Sequence, residues 1–132
     1  MKRFLILIKF LCLIQISAPL QGAEKEVNIY SARKEELILP LLKMFKKETG
    51  IGFKLITGKA DGLLKRLEIE GKLSPADVFI TVDAGRLQRA KDAGVLQPVD
   101  NIELTNRIPR NLRDSENYWF GLGDNHSNSE ND

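Results

Sequence analysis

Three observations predict an α/β fold with a parallel sheet and flanking helices. Strand-like runs alternate with helical stripes from Val27 onward. Val78-Phe79-Ile80-Thr81-Val82 is almost continuously apolar, as a central strand covered on both faces requires. Gly50, Gly71 and Gly94 each follow a helical stripe, where a left-handed cap ends a helix. The order β-α-β-α-β-α then implies parallel strands joined by right-handed crossovers.

Val27-Asn28-Ile29-Tyr30 is the first strand. Leu37, Ile38, Leu41, Leu42 and Phe45 fall at helical spacing and define a helix of about four turns that ends at Gly50. Pro40 removes one backbone donor there, so a start near Glu36 keeps the proline close to the first turn. Phe53, Leu55 and Thr57 alternate along a second strand. Ala60, Leu63, Leu64 and Leu67 stripe a second helix, closed by Gly71. Pro75-Ala76-Asp77 leads into the Val78–Val82 strand. Asp83 is placed to cap a third helix over Ala84–Ala93, with Leu87 and Ala90 inward. Beyond Pro98 the periodicity weakens, and Trp119-Phe120-Gly121-Leu122 reads as a fourth strand.

At 132 residues the chain has room for one domain. Its net charge of +2 offers no strongly basic surface, so no nucleic-acid partner is expected. Lys2, Arg3 and Lys9 account for that sign: beyond Ala23 there are 17 basic and 18 acidic residues, a net charge of −1. A basic start, the apolar run Phe4–Ile14 and small residues up to Ala23 read as a secretory signal peptide over 1–23. Lys9 and Gln15 interrupt the run that a membrane anchor needs. The chain after cleavage then has no thiol, in keeping with a compartment outside the cytosol. Residues 24–122 form the α/β unit, and the polar segment 123–132, without an apolar side chain, reads as a disordered tail.

Several chemistries lack their residues. The sole histidine, His126, lies in the tail, which leaves the folded part without a base for a Ser or Cys nucleophile and without a zinc cluster. Gly52–Lys59 is no phosphate loop: five residues separate Gly52 from Gly58, and Ala60 stands where a hydroxyl should bind magnesium. No enzyme activity is therefore expected.

Ligands of open parallel sheets bind beyond the carboxyl ends of the strands. Three turns reach that edge, and they bring Tyr30, Ser31, Thr57, Gly58, Lys59, Thr81 and Asp83 together as candidate ligand-binding residues. Each turn also begins a helix, whose free N–H groups favour an anion. Plainer readings stand beside these: Ser31 and Asp83 as helix caps, Lys34 and Lys59 as solvated charges, and Tyr30 as a strand-end core residue with a wet hydroxyl.

Val27–Arg33, Lys47–Gly50, Leu55–Asp61, Ser74–Val78, Thr81–Leu87, Ala93–Val99, Ile108-Pro109, Asn111–Asp114 and Trp119–Leu122, in this order and spacing, resemble the periplasmic ferric-ion-binding proteins of ABC importers. The resemblance implies the partial first lobe of a two-lobed periplasmic binding protein. It also implies Fe³⁺ as the transported ligand, held by oxygen donors with a synergistic anion such as carbonate, and an ABC importer permease as partner. Tyr30, Asp83 and Glu35 are then the candidate metal donors on the edge, whereas Lys34, at a position where relatives often carry a histidine ligand, cannot coordinate. Such proteins are much longer, and their adjacent tyrosine ligands lie beyond the matched part. The likeness stops at Leu122, which suggests a truncated or frameshifted product. A binding protein for a polyamine, a phosphonate or another oxyanion is the alternative, as is a remnant without function.

Overall fold

A computed structural model of the protein describes residues 25–123. The signal peptide expected over 1–23 and the tail expected over 123–132 fall outside them, apart from Gly123. The elements are β1 (Glu26–Ser31), α1 (Glu35–Thr49), β2 (Gly52–Thr57), α2 (Ala60–Glu70), a 3-10 turn (Gly71–Leu73), β3 (Val78–Ile80), α3 (Ala84–Asp92), α4 (Ile102–Arg107) and a second 3-10 turn (Arg110–Leu112).

The three strands are parallel, in the order β2-β1-β3. The chain steps from β1 to β2 on one side, then crosses back over β1 to reach β3. Right-handed connections in opposite directions must leave on opposite faces, and the packing agrees. Ile29 of β1 clusters with Ile38 and Leu42 of α1, backed by Val27, Phe53, Leu55 and Ile80. Its neighbour Tyr30 clusters on the other face with Leu63 and Leu67 of α2, backed by Ala32, Ala76, Phe79 and Val95. Adjacent strand residues point to opposite faces, so this division follows from the sequence parity of Ile29 and Tyr30.

Among the described residues β1, not the Val78–Val82 run, is the central strand. β3 stops at Ile80 and has β1 as its one described neighbour, with Val78 and Val82 both more than two-fifths exposed. The local reason is the cap: Asp83, in extended backbone, takes the Arg86 amide at 2.8 Å and begins α3, so Thr81 and Val82 serve as the bend between strand and helix.

Helix ends follow the glycines. Gly50 adopts φ 71°, and its amide closes on the Lys46 carbonyl at 2.9 Å. α1 begins at Glu35, which puts Pro40 just past the first turn. The Glu36 carbonyl, which loses its helical partner there, sits on an exposed residue where water can serve it.

The expected fourth strand over Trp119–Leu122 does not form. Phe120 makes only an isolated antiparallel bridge to Arg113. Asp114, buried, organises this segment instead: its Oδ2 accepts the amides of Glu116 and Tyr118, each at 3.1 Å, and Lys91 of α3 donates to both its oxygens at 2.9 and 3.0 Å. Burial alone would raise the Asp114 carboxyl, but the Lys91 ammonium and the two amides outweigh it and hold it below the usual carboxylate range. α4, which the weak periodicity concealed, starts on Asn101, whose Oδ1 accepts the amides of Glu103 and Leu104.

Candidate functional site

The strand order 2-1-3 reverses at β1, so the crevice of this sheet opens beyond the carboxyl ends of β1 and β3. The backbone ties that edge together. The Ala32 amide donates to the Ile80 carbonyl at 2.7 Å, and the Gly58 amide donates to the Ser31 carbonyl at 3.1 Å. All three strand-to-helix turns therefore meet at one rim.

Ser31 is fully buried, and its Oγ accepts the Arg33 amide at 3.1 Å, which shapes the turn and leaves the hydroxyl inside. Thr57, Gly58 and Lys59 are exposed on the rim. A Cβ at Gly58 would come within 3.3 Å of Leu63 Cδ2, so a larger residue there would press on the α2 core. Lys59 and Lys34 occupy the cap positions of α2 and α1, and neither helix has a side-chain cap. Their first amides thus begin at the rim, where Arg33, Lys34 and Lys59 stand next to the acidic residues of the two first turns, Glu35 and Glu36 of α1 and Asp61 of α2. Thr81 is half-buried, and its Oγ1 has no partner among the described residues.

The three candidate metal donors are placed very differently. Tyr30 is 1% exposed and turns away from the rim, into the α2 face. Its hydroxyl donates to Glu70, 3.0 Å from each carboxylate oxygen, and the Arg66 guanidinium lies 4.8 Å over its ring. Burial first, and then the Glu70 hydrogen bond, push the phenol above its ordinary pKa. A phenol so placed holds its proton. Glu70 in turn accepts from Ser74 at 2.7 Å and Arg66 at 2.6 Å, and these bonds hold it low. Asp83 is occupied as the α3 cap: Oδ1 takes the Arg86 amide and Oδ2 the Arg86 guanidinium. The amide first, then the guanidinium, outweigh burial and keep its carboxyl below the usual range. Glu35, in the first turn of α1, is exposed, and no described residue holds its carboxylate. Among the described residues no group of three His, Cys, Asp or Glu converges on a metal position.

Sequence reading missed Glu70, the partner of Tyr30, which lies 40 residues away. It also missed Arg86, although an arginine three residues after a cap aspartate is a local signal. Asp61 receives Arg89 at 3.0 Å and joins α2 to α3 just below the rim.

A separate groove of about 800 Å³ lies toward the amino end of β3, between Ala76–Phe79, Gly94–Gln97 and Tyr118–Phe120. It sits at the opposite end of that strand from the rim.

Residues 29–125 match the family described as bacterial extracellular solute-binding proteins. The chain is similar to iron uptake protein A1 of Synechocystis sp., with 46% identity over 101 residues that cover 76% of this chain and 28% of the relative. A Trichodesmium protein solved in complex with iron and citrate ligands superposes with a TM-score of 0.70 and 51% identity, over 73% of this chain and 30% of that one. The ferric binding protein of Campylobacter jejuni gives a TM-score of 0.69 and 45% identity, over 71% and 30%. The chain thus spans less than a third of the length of these relatives. The match over most of the chain and the shared fold place it in one family: the chain belongs to the bacterial extracellular solute-binding proteins.

Proposed function

We propose that this chain forms one wall of a periplasmic binding site for ferric iron, which is delivered to an ABC importer without being chemically altered. The observation that carries this reading is the 46% identity to a protein named for iron uptake. The rim supports it: Arg33, Lys34 and Lys59 beside two helix N-termini without side-chain caps suit the anion that accompanies Fe³⁺, such as carbonate or citrate. Glu35, exposed in the first turn of α1 and held by no described residue, is the candidate donor this wall keeps available. Tyr30, buried and held on Glu70, acts in packing. Ser31 and Asp83 shape the turns, and Thr57, Gly58, Lys59 and Thr81 line the rim.

Fe³⁺ is a hard cation that needs several oxygen donors, and among the described residues this wall offers few carboxylates that no other side chain holds, Glu35 and Glu36 in the first turn of α1. The full chain alone therefore binds ferric citrate weakly, with a dissociation constant of about 0.1 mM or more, and without an intense tyrosinate band. Equilibrium dialysis against ferric citrate, spermidine and methylphosphonate tests the reading. Binding of ferric citrate that exceeds the other two, and that weakens in Lys34→Glu and Lys59→Glu, is expected. Preference for spermidine or methylphosphonate would replace iron with that ligand class.

A further inference from the structure

Residues 99–122 are tied closely to one another. The Val99 amide donates to the Asn117 carbonyl at 3.0 Å, the Asp114 amide to the Trp119 carbonyl at 3.0 Å, and the Asn117 amide to the Asp114 carbonyl at 3.1 Å. Arg113 and Phe120 add the antiparallel bridge. Asn117 takes φ 62°, a left-handed position that asparagine tolerates, and its side chain accepts the Arg113 guanidinium at 2.9 Å. Among the described residues, the backbone bonds of 99–122 stay within the segment.

Its polar ties to the rest are side-chain bonds to one helix. Lys91 of α3 donates to both Asp114 oxygens and, at 2.6 Å, to Glu116, and its ammonium lies 4.8 Å over the Tyr118 ring. Trp119 Nε1 donates at 3.3 Å to Gln88 Oε1, one turn earlier on α3. The Lys91 and Asp114 side chains are 17% and 7% exposed, so solvent screens their contact little. Apolar packing adds no comparable hold. Neither core cluster reaches beyond Val95, and Tyr118, Trp119 and Phe120 are only half-buried. Few buried apolar contacts mark a segment that opens at less cost than the whole fold. Removing the cation from a buried carboxylate is strongly unfavourable, so a single lysine controls the docking of the segment.

We propose that residues 99–122 form a strap that opens from α3 as one unit while the sheet stays folded, with Lys91 as its latch. Opening carries Tyr118, Trp119 and Phe120 away from Phe79, Leu87 and Val95, and so removes one wall of the groove beside β3. Trp119 is the sole tryptophan, so its fluorescence reports the strap, whereas far-ultraviolet circular dichroism reports chiefly α1 and α2. The test is a urea titration of the full 132-residue chain followed by both signals. The fluorescence transition is expected about 1 M urea below the dichroism transition. Lys91→Met is expected to lower the fluorescence midpoint by a further 1 M or so, and the dichroism midpoint by less than about half as much. Three results would overturn the proposal: coincident transitions in the unaltered chain, two midpoints that fall together in Lys91→Met, or a fluorescence midpoint that the substitution leaves in place. Binding of ferric citrate at the rim enters neither signal.

Discussion

Replacing Tyr30 with phenylalanine separates a packing role from a ligand role. The change keeps the ring among Leu63, Leu67 and Phe79 and removes only the hydroxyl. That hydroxyl donates to Glu70 at 3.0 Å. A hydrogen bond to a charged acceptor contributes about 1.5–3 kcal/mol. Glu70 keeps Arg66 and Ser74 as donors after the change, so it is not left bare, and the loss belongs at the lower end, about 1.5 kcal/mol. For a unit of this size that lowers Tm by about 6–12 °C. Thermal melts followed by circular dichroism read the shift, and absorbance during titration with ferric citrate reads the ligand. The expected result is a lower Tm with unchanged iron binding. An unchanged Tm together with lost iron binding would refute the packing assignment and return Tyr30 to the metal.

Three further outcomes follow from the same contacts. Leu42→Ala empties the α1 side of the core, where Leu42 is 6% exposed, and should cost about 2–5 kcal/mol in urea unfolding. Glu70, Asp83 and Asp114 are all held below the ordinary carboxylate range, so their stabilisation is present above about pH 4 and is lost as pH falls through their lowered native values. Acid titration should show this loss, and Asp114→Asn should shrink it. Gly121→Ala would bring a Cβ to 2.9 Å from the Leu112 carbonyl oxygen, and should destabilise the closing turn by about 1–3 kcal/mol in the same urea assay.

The alternation of elements was legible because each depends on local spacing. The stripe Ile38-Leu42-Phe45 and the stop at Gly50 are read within one helix, and the structure places α1 accordingly. Strand order was not legible, because pairing is decided by contacts far apart in sequence. The apolar run at Val78 therefore suggested a central strand, although among the described residues it pairs with β1 alone. The rim turns were legible from the strand-to-helix order. The inward turn of Tyr30 was not, since it depends on a carboxylate 40 residues away, nor was the clamp of Lys91 on Asp114, 23 residues apart. Trp119–Leu122 had the composition of a strand, but the amide-accepting Asp114 folds that segment into a closed turn.

The central claim is that the ligand meets the carboxyl ends of β1 and β3. The most direct test is amide chemical-shift mapping of the chain with gallium citrate, a diamagnetic stand-in for the ferric complex. Perturbations should gather at Ala32–Glu35, Gly58–Ala60 and Thr81–Ala84, and should weaken in Lys34→Glu. Perturbations gathered instead along Ala76–Phe79 and Tyr118–Phe120, or none at saturating citrate complex, would contradict the account.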